Sequence, residues 1–520
     1  MSDRAAVRRG LGRQIARNSA LGLVGRFFSV LGWTLIAPWM LHVLGSERFG
    51  LWSLFSIFSS LALTFDLGLQ GALTRYVAEH RAGDGRGPTR ALLGMGLALY
   101  LALGLLLFGG AALLRGPLLD FFHIAPELRA EAGGALLLAA AATLALNLSQ
   151  YGGAVLGGLQ RLDRWSQVSM AGTFVQIAVS ALVLARGGGV THLLAVSALV
   201  NLAAAGASAA WALQIDPTLT PAFSGWTAGL WRGLGGFSLA MQVVGVGLLL
   251  QFQLDKVLFG RWVGLTAVAE YELAYRVAFG AWALPALLLP PLLPAVAHLH
   301  AAGDHDGVVA LLRRATRYVL ALALPLAAGL VALSPTLLAA WLGPGHESAS
   351  RAAVALGVVL GATILTGAGS AVVRGMGRPG VEAWYFVVAA AVHVPLSLWW
   401  IPRYGFTGGL WALVVSGIVG PVWFVVRLHR FLGLSLAGEL RQRIAPPLFA
   451  SVVAGVAGAE AARFVAGLGA GRSIELAAFV VGGTVLVSIA GGALLLVRYV
   501  TLAELRGLFV RPAVVGGPLV

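Results

Sequence analysis

The sequence contains no cysteine, and charged residues make up only 11% of its 520 positions. The missing cysteine excludes disulfide scaffolds, thiolate catalysis and cysteine-based metal sites. The low charge excludes a water-soluble protein, because soluble chains carry about 25% charged residues. Hydrophobic residues reach 58% and the mean hydropathy is +0.86. They form long unbroken runs rather than the alternation typical of a transmembrane barrel. The sequence therefore predicts an all-α integral membrane protein.

Apolar segments long enough to cross a bilayer as helices recur along the whole chain. We count about fourteen transmembrane helices, whose predicted bounds are 19–44, 51–78, 91–114, 132–156, 166–185, 191–213, 236–259, 268–297, 316–342, 352–373, 381–401, 408–426, 444–462 and 476–497.

An internal repeat organises these segments. Gly158-Leu159-Gln160-Arg161 resembles Gly375-Met376-Gly377-Arg378, at an offset that spans six helices. An even number of helices brings both copies into the membrane in the same sense, which favours two pseudo-symmetric six-helix bundles with a cleft between them and alternating access. The predicted regions are a basic interfacial segment (1–18), an N-terminal bundle (19–213), a C-terminal bundle (236–426), two extra transmembrane helices (444–497) and a cytoplasmic tail (498–520).

The charge is +15, from 36 Lys and Arg against 21 Asp and Glu. In a soluble protein this balance would suggest nucleic acid, but here the basic loops fall mostly on one side of the predicted helices. The bias predicts that both termini are cytoplasmic, and it favours contact with anionic lipid rather than nucleic acid. No phosphate loop, zinc-protease motif or nucleophile elbow occurs, so we expect a transporter without catalytic residues, metal or cofactor.

Ionisable residues inside apolar segments mark candidate sites, because each costs about 2.5–3.5 kcal/mol at the bilayer centre on insertion scales. They fall on predicted helices one, two, seven and eight, the equivalent pairs of the two bundles. Structural alternatives stay open for most of the candidates: snorkelling for Arg26, topology anchoring for Arg75 and Arg374, and local ion pairs for Asp255–Lys256 and Glu272–Arg276. Asp66 lies too far into its segment to snorkel, which favours a paired or functional acid. The candidates on these helices are Arg26, Asp66, Arg75, Asp255, Lys256, Tyr271, Glu272 and Arg276.

Three motifs at these positions resemble a known family. Leu44-Gly45 followed by Phe49-Gly50, Asp66-Leu67-Gly68-Leu69 with Arg75, and Asp255-Lys256 with Tyr271-Glu272-Leu273-Ala274-Tyr275 are similar to the signatures of bacterial polysaccharide transporters. These are the O-antigen and lipid-linked oligosaccharide flippases of the multidrug/oligosaccharidyl-lipid/polysaccharide (MOP) exporter superfamily. The resemblance covers almost the whole chain.

The resemblance implies a monomeric flippase of the bacterial inner membrane that moves a polyprenyl-diphosphate-linked oligosaccharide to the outer leaflet for polysaccharide or lipopolysaccharide export. A polysaccharide polymerase and glycosyltransferases are its implied partners. Because arginine binds phosphate bidentately, cations are expected to hold the diphosphate. Acids are expected to couple transport to a proton or sodium gradient or to the membrane potential. The implied substrate-binding residues are Arg26, Arg276, Arg374, Arg75 and Lys256, and the coupling or cavity residues are Asp66, Asp255, Glu272 and Tyr271.

Other functions remain open from the sequence. A cation-coupled multidrug exporter of the same superfamily would need an anionic cavity, whereas a lipid II flippase would share the cationic one. A membrane glycosyltransferase would need a large extramembrane loop with acidic residues, and the longest outer loop, 115–131, is short.

Overall fold

A computed structural model provides the coordinates, and it describes residues 31–64, 69–81, 88–227, 230 and 238–504. The predicted interfacial segment (1–18) and most of the predicted tail (498–520) lie outside these residues. The described chain is helical and contains no strand, which confirms the all-α class. By length and composition, ten of the described helices can cross a membrane, and shorter apolar helices accompany them.

Within the residues that the structure describes, each of the fourteen predicted segments contains helix. The helices are α1 (31–55), α2 (Ile57–Thr64), α3 (Leu69–Arg81), α4 (Pro88–Leu113), α5 (Arg115–Phe121), α6 (Pro126–Gly158), α7 (Leu162–Ala185), α8 (Val190–Ile215), α9 (Ser238–Phe252), α10 (Leu254–Trp262), α11 (Leu265–Ala286), α12 (Leu292–Ala301), α13 (His305–Leu342), α14 (Glu347–Gly375), α15 (Gly380–Phe431), α16 (Leu436–Glu439), α17 (Ala445–Ala466) and α18 (Arg472–Leu496), with a π-helical turn at Leu440–Ile444.

Glycine breaks helices at predicted boundaries, and proline breaks one helix inside a predicted span. Gly45 interrupts α1 with φ 77°, and Gly405 interrupts α15 with φ 58°. Left-handed φ values are unstrained only for glycine, so these positions turn the chain between consecutive predicted spans. In the predicted eighth span, turns between α11 and α12 surround Pro290 and Pro291, because proline supplies no amide to a continuing helix. The proline cluster thus divides this span into two helices.

The chain divides into two compact units. The first comprises Met1–Glu272 and Ser397–Gly409, and the second comprises Leu273–Leu396 and Leu410–Val520. In the first unit α6 packs most extensively against α8, and in the second α17 packs against α18 and α13 against α14. The bundle limits given above stay a prediction.

A glycine contact recurs at the repeat offset of 217 positions. A Cβ on Gly158 would lie 2.5 Å from the Cβ of Val77, so α3 packs directly on the end of α6. A Cβ on Gly375 would lie 2.8 Å from the Cβ of Val296, so α12 packs in the same way on the end of α14. Each unit therefore contains the same close approach of two helices, which only a residue without a side chain permits.

The turns that follow these glycines also match. Gln160 has φ 60° and Gly377 has φ 70°, each in the left-handed region. The amide of the next residue, Arg161 or Arg378, donates to the helix carbonyl five positions earlier, at 2.9 and 2.8 Å. This is the hydrogen bond of a Schellman-type helix end, which satisfies carbonyls that a helix terminus leaves unpaired. The repeated sequence thus forms a repeated structure.

We predict that Gly158→Ala and Gly375→Ala each destabilise the protein by about 1–3 kcal/mol, because an added methyl group must displace a packed helix. Thermal unfolding in detergent, followed by light scattering and size exclusion, measures the change. Gly109→Ala is the matched control: its Cβ would meet no atom within 4 Å, so it should melt at or above the wild-type temperature. Equal melting of Gly158→Ala and wild type would contradict the packing argument.

Candidate functional site

A glycine sets the position of the first polar cluster. A Cβ on Gly50 would lie 2.0 Å from the carbonyl oxygen of Leu265, so the backbones of α1 and α11 touch there. Ser53 lies one turn beyond Gly50, and Glu272 lies two turns beyond Leu265 on the same helix face. The close approach therefore directs the Ser53 hydroxyl toward the Glu272 carboxylate.

The cluster centres on a buried ion pair within the first compact unit. The Nζ atom of Lys256 lies 2.5 Å from Oε2 of Glu272, and the Ser53 hydroxyl donates to the same oxygen at 3.2 Å. The side chains of Lys256 and Glu272 are only 3% and 8% exposed. Because removing two charges from water is expensive, this pair persists only with such direct compensation. Glu272 therefore neutralises Lys256, the only lysine of the chain.

Aromatic packing and a serine fix the helix that carries Lys256. Asp255 is fully buried and accepts a hydrogen bond from the Ser397 hydroxyl at 3.1 Å. Phe259, one turn further along α10, lies 5.6 Å from Tyr271 and 4.8 Å from Phe406 between ring centroids. The segment Ser397–Gly409 thus holds α10 through one polar and one aromatic contact.

Glutamines extend the polar surface of the preceding helix. Gln242 donates from Nε2 to the Thr64 carbonyl at 2.7 Å, which joins α9 to the end of α2. Gln251 is 1% exposed, and neither of its amide atoms has a hydrogen-bond partner within the described ranges. A buried amide of this kind points to water or another polar group beside it.

The second compact unit contains a separate ion pair at the end of α14. Arg374 binds Glu382 bidentately, with Nε–Oε2 and Nη2–Oε1 distances of 2.5 and 2.7 Å. Glu382 is buried in the first turn of α15, and Arg374 is partly exposed. The pair spans the turn that follows Gly375 and is the strongest geometry available to arginine and a carboxylate. Glu382 was not among the residues that the sequence singled out.

The remaining sequence-predicted residues are distributed as follows. Arg75 is exposed and pairs with Glu79 one turn further along α3, at 2.7 Å. Tyr271 is buried against Phe259, and Arg276 is partly buried on α11. Arg26 and Asp66 lie outside the described residues. The structure brings Lys256 and Glu272 together, with Asp255 beside Lys256 in the chain, whereas Arg75 and Arg374 contact acids outside the predicted set. The roles of all nine residues in binding or coupling stay predictions.

An apolar groove lies within the second compact unit. It encloses about 800 Å³ between α13, α14 and α17. Aliphatic residues and glycines form nearly all of its lining, and Val452 and Val456 are 54% and 60% exposed, so the groove is open along its length. An ion pair between Glu460 and Arg463 lies at one end. Small residues leave the space between these helices, and no sequence motif predicts the groove.

The helical chain, its membrane-length helices, a buried ion pair and an open apolar groove define a multi-pass membrane protein. Its sequence matches the family described as polysaccharide biosynthesis protein over residues 15–296, more than half of the chain. The protein therefore belongs to that family. A comparison with curated proteins finds no significant match.

Solved structures share the fold. The lipid II flippase MurJ in an inward-closed conformation is similar over 92% of this chain and 100% of its own, with a TM-score of 0.72 and 12% identity. An outward-facing multidrug resistance MATE transporter of the MOP superfamily matches 81% of this chain and 97% of its own, with a TM-score of 0.57 and 16% identity. A MATE transporter of Vibrio cholerae matches 80% and 97%, with a TM-score of 0.58 and 16% identity. The chain thus shares the fold of these solved transporters.

We predict that Lys256→Met lowers the free energy of unfolding by about 3–5 kcal/mol, because it leaves the Glu272 carboxylate buried without its counter-charge. Lys256→Met combined with Glu272→Met should recover much of the loss, since both members of the pair are then removed and neither leaves an unpaired partner. Denaturant or thermal unfolding in detergent distinguishes the two variants. Arg75→Met is the control: it breaks the exposed pair with Glu79 and should unfold like wild type. Equal losses in the single and double variants would contradict a pairing role.

Proposed function

We propose that this protein is a flippase that moves a polyprenyl-diphosphate-linked oligosaccharide from the cytoplasmic to the outer leaflet of a bacterial inner membrane. The observation that carries the proposal is the apolar groove between α13, α14 and α17. A lipid-linked sugar has two parts with opposite needs, a polar head that must cross and an apolar tail that is stable in hydrocarbon. A transporter of such a molecule needs an apolar surface that remains open to the bilayer.

The groove has the chemistry of a tail site. Ala327, Val331, Gly361 and Val452 are typical of its lining, and polar residues are concentrated at one end. In this proposal the tail lies in the groove while the diphosphate and sugars pass through the protein by alternating access. Family membership supports a polysaccharide substrate. The lipid II flippase also covers a larger share of this chain than the multidrug transporters do.

The diphosphate head requires cations. Arg276 is partly buried on α11, next along the helix from the Lys256–Glu272 pair, and it is our candidate for direct phosphate contact. Arg374 and Lys256 are bound to Glu382 and Glu272, and Arg276 also has a partner, so each of the three would bind phosphate by exchanging partners. Arg26 and Asp66 keep their proposed roles in binding and coupling. Gradient coupling through a proton or sodium ion, and a polymerase or glycosyltransferase partner, belong to the same proposal.

One observation favours a second candidate, a multidrug exporter. The groove volume falls within the range of about 300–1,000 Å³ that suits drug-sized ligands, and multidrug transporters share the fold. A lipid II flippase is the nearest alternative among lipid-linked substrates. A transport assay that offers all three substrates separates them.

We predict that the purified protein in proteoliposomes accelerates flipping of a fluorescent polyprenyl-diphosphate disaccharide, measured as loss of protection from a membrane-impermeant quencher. Val456→Trp fills the groove and should slow flipping by about tenfold, because a tail that loses two buried methylenes forfeits about 0.8 kcal/mol for each. Val453→Trp is the matched control on the same helix, since Val453 is exposed but does not line the groove. This variant should flip the fluorescent lipid at the wild-type rate.

The outcomes separate the candidates. Flipping at the rate of empty liposomes, together with ethidium transport by the same vesicles, would replace the flippase proposal with the exporter. Faster flipping of lipid II than of the disaccharide would change the substrate. Equal slowing by Val456→Trp and Val453→Trp would remove the groove from the mechanism.

A further inference from the structure

A second pocket lies at the turn between α14 and α15. It encloses about 390 Å³, and its lining combines two arginines and two tryptophans with the turn backbone. Arg378 and Trp384 come from the turn and the start of α15, and Trp423 and Arg427 come from the end of the same helix. No carboxylate lines it. The pocket therefore presents two positive charges and two indole rings to one small volume.

Neither arginine is neutralised within the part of the chain that the structure describes. Arg427 is exposed and has no hydrogen bond or ion pair there. Arg378 is also exposed, and its guanidinium lies 5.1 Å from the centroid of the Phe431 ring, which orients it without removing its charge. Glu382 is nearby in the chain, but it is buried and bound to Arg374 through both carboxylate oxygens. Two arginines without a counter-charge that line one pocket favour the binding of an anion there.

The backbone of the turn adds to this preference. The pocket includes Pro379 and Gly380, where α15 begins, and the N-terminus of a helix presents a positive dipole to anions. A Cβ on Gly380 would meet no atom within 4 Å, so the backbone there is open to a ligand. Phosphoryl groups suit such a site, because they accept hydrogen bonds from several donors at once.

The equivalent turn of the first unit lacks these properties. There Arg161 is bound to Asp163 through two hydrogen bonds at 3.0 and 3.1 Å, which pair its charge with a carboxylate. Arg164 lies 4.0 Å above the Trp211 ring. The repeat thus built the same backbone turn twice, but only the second copy lacks an acid beside its arginine.

The surroundings indicate that the anion belongs to a lipid. The turn joins two membrane-length helices, so it lies at a membrane face, where tryptophan is enriched. Trp384 is 61% exposed. Exposed aliphatic residues continue from the pocket along both halves of α15, at Val387 and at Val419 and Val422, and they offer a surface to acyl chains. A soluble phosphate would make no use of that surface.

We propose that the pocket of Arg378, Trp384, Trp423 and Arg427 binds the headgroup of an anionic phospholipid in the leaflet that faces this turn. The sequence predicts the cytoplasmic leaflet, whose anionic lipids attract basic residues near the surface. The bound lipid joins the turn to the end of α15 and so holds the two halves of that helix together at this face. The site does not depend on the proposed flippase activity, since it binds resident lipid rather than transported substrate.

The test uses the full chain and phosphatidylglycerol as the probe. Native mass spectrometry in detergent counts bound lipids, with phosphatidylcholine as the neutral comparison. We expect Arg378→Gln combined with Arg427→Gln to weaken phosphatidylglycerol binding about 30-fold, from the typical contribution of two arginines near a membrane surface. Arg441→Gln combined with Arg498→Gln is the matched control, because both residues are exposed and predicted on the same face. It should retain wild-type binding.

Two further measurements locate the site and its ligand. Phosphatidylglycerol nanodiscs, compared with phosphatidylcholine nanodiscs, should slow amide hydrogen exchange at residues 377–381 in wild type but not in the double variant. Trp384→Leu, which keeps both charges, should weaken binding several-fold. Equal loss in the two double variants, or no loss in either, would overturn the site. Complete displacement of the lipid by millimolar glycerol 1-phosphate would assign it to a free phosphate instead.

Discussion

The ion pair between Lys256 and Glu272 is the interaction on which the arrangement of the first compact unit depends. It joins α10 to α11, and through the Ser53 hydroxyl it also joins α11 to α1. In an apolar helix set, neither charge is stable alone, so the helices that carry them must remain together. The close contact at Gly50 also holds α1 against α11, because it brings α1 near enough for Ser53 to reach the Glu272 carboxylate.

In the repeat, close steric packing rather than charge fixes how the helices meet. Gly158 and Gly375 allow α3 and α12 to approach the ends of α6 and α14, and left-handed residues then reverse the chain in the same way. Side chains around the two turns differ, so the turn is conserved in geometry while its electrostatics diverge. A duplicated backbone could thus give one copy a neutral turn and leave the other positively charged.

Much of the fold was predictable from the sequence, because the membrane imposes a simple rule. Long apolar runs must become helices when no water is present to satisfy the backbone, so the described part of each predicted segment contains helix. The partners of buried charges were harder to predict. Neighbouring residues suggested Asp255 with Lys256 and Glu272 with Arg276, whereas Lys256 also reaches Glu272, 16 positions away. That contact depends on the helix break at Gln253 and on the packing of three helices, which local spacing does not encode.

The sequence did not predict the apolar groove or the arginine pocket, for a different reason. The groove arises from alanines, glycines and valines, which are so common here that no pattern distinguishes a lining from a packed interface. Arg378 was visible only as part of a repeat, and Arg427 only as one more basic residue. Their common function depends on the break at Gly405, which lets the two ends of α15 lie side by side.

The distribution of cations follows from these constraints. The single lysine is buried beside a carboxylate and a hydroxyl, where a compact ammonium with three donors suits the available acceptors. Arginines occupy the helix ends. Arg374 binds Glu382 bidentately through its planar guanidinium, and the guanidinium of Arg378 lies over the ring of Phe431. The proposed flippase function would benefit from this division. Arginines at the membrane face keep their charge and can exchange one oxyanion for another, whereas the buried lysine is committed to its carboxylate and to the stability of the helices around it.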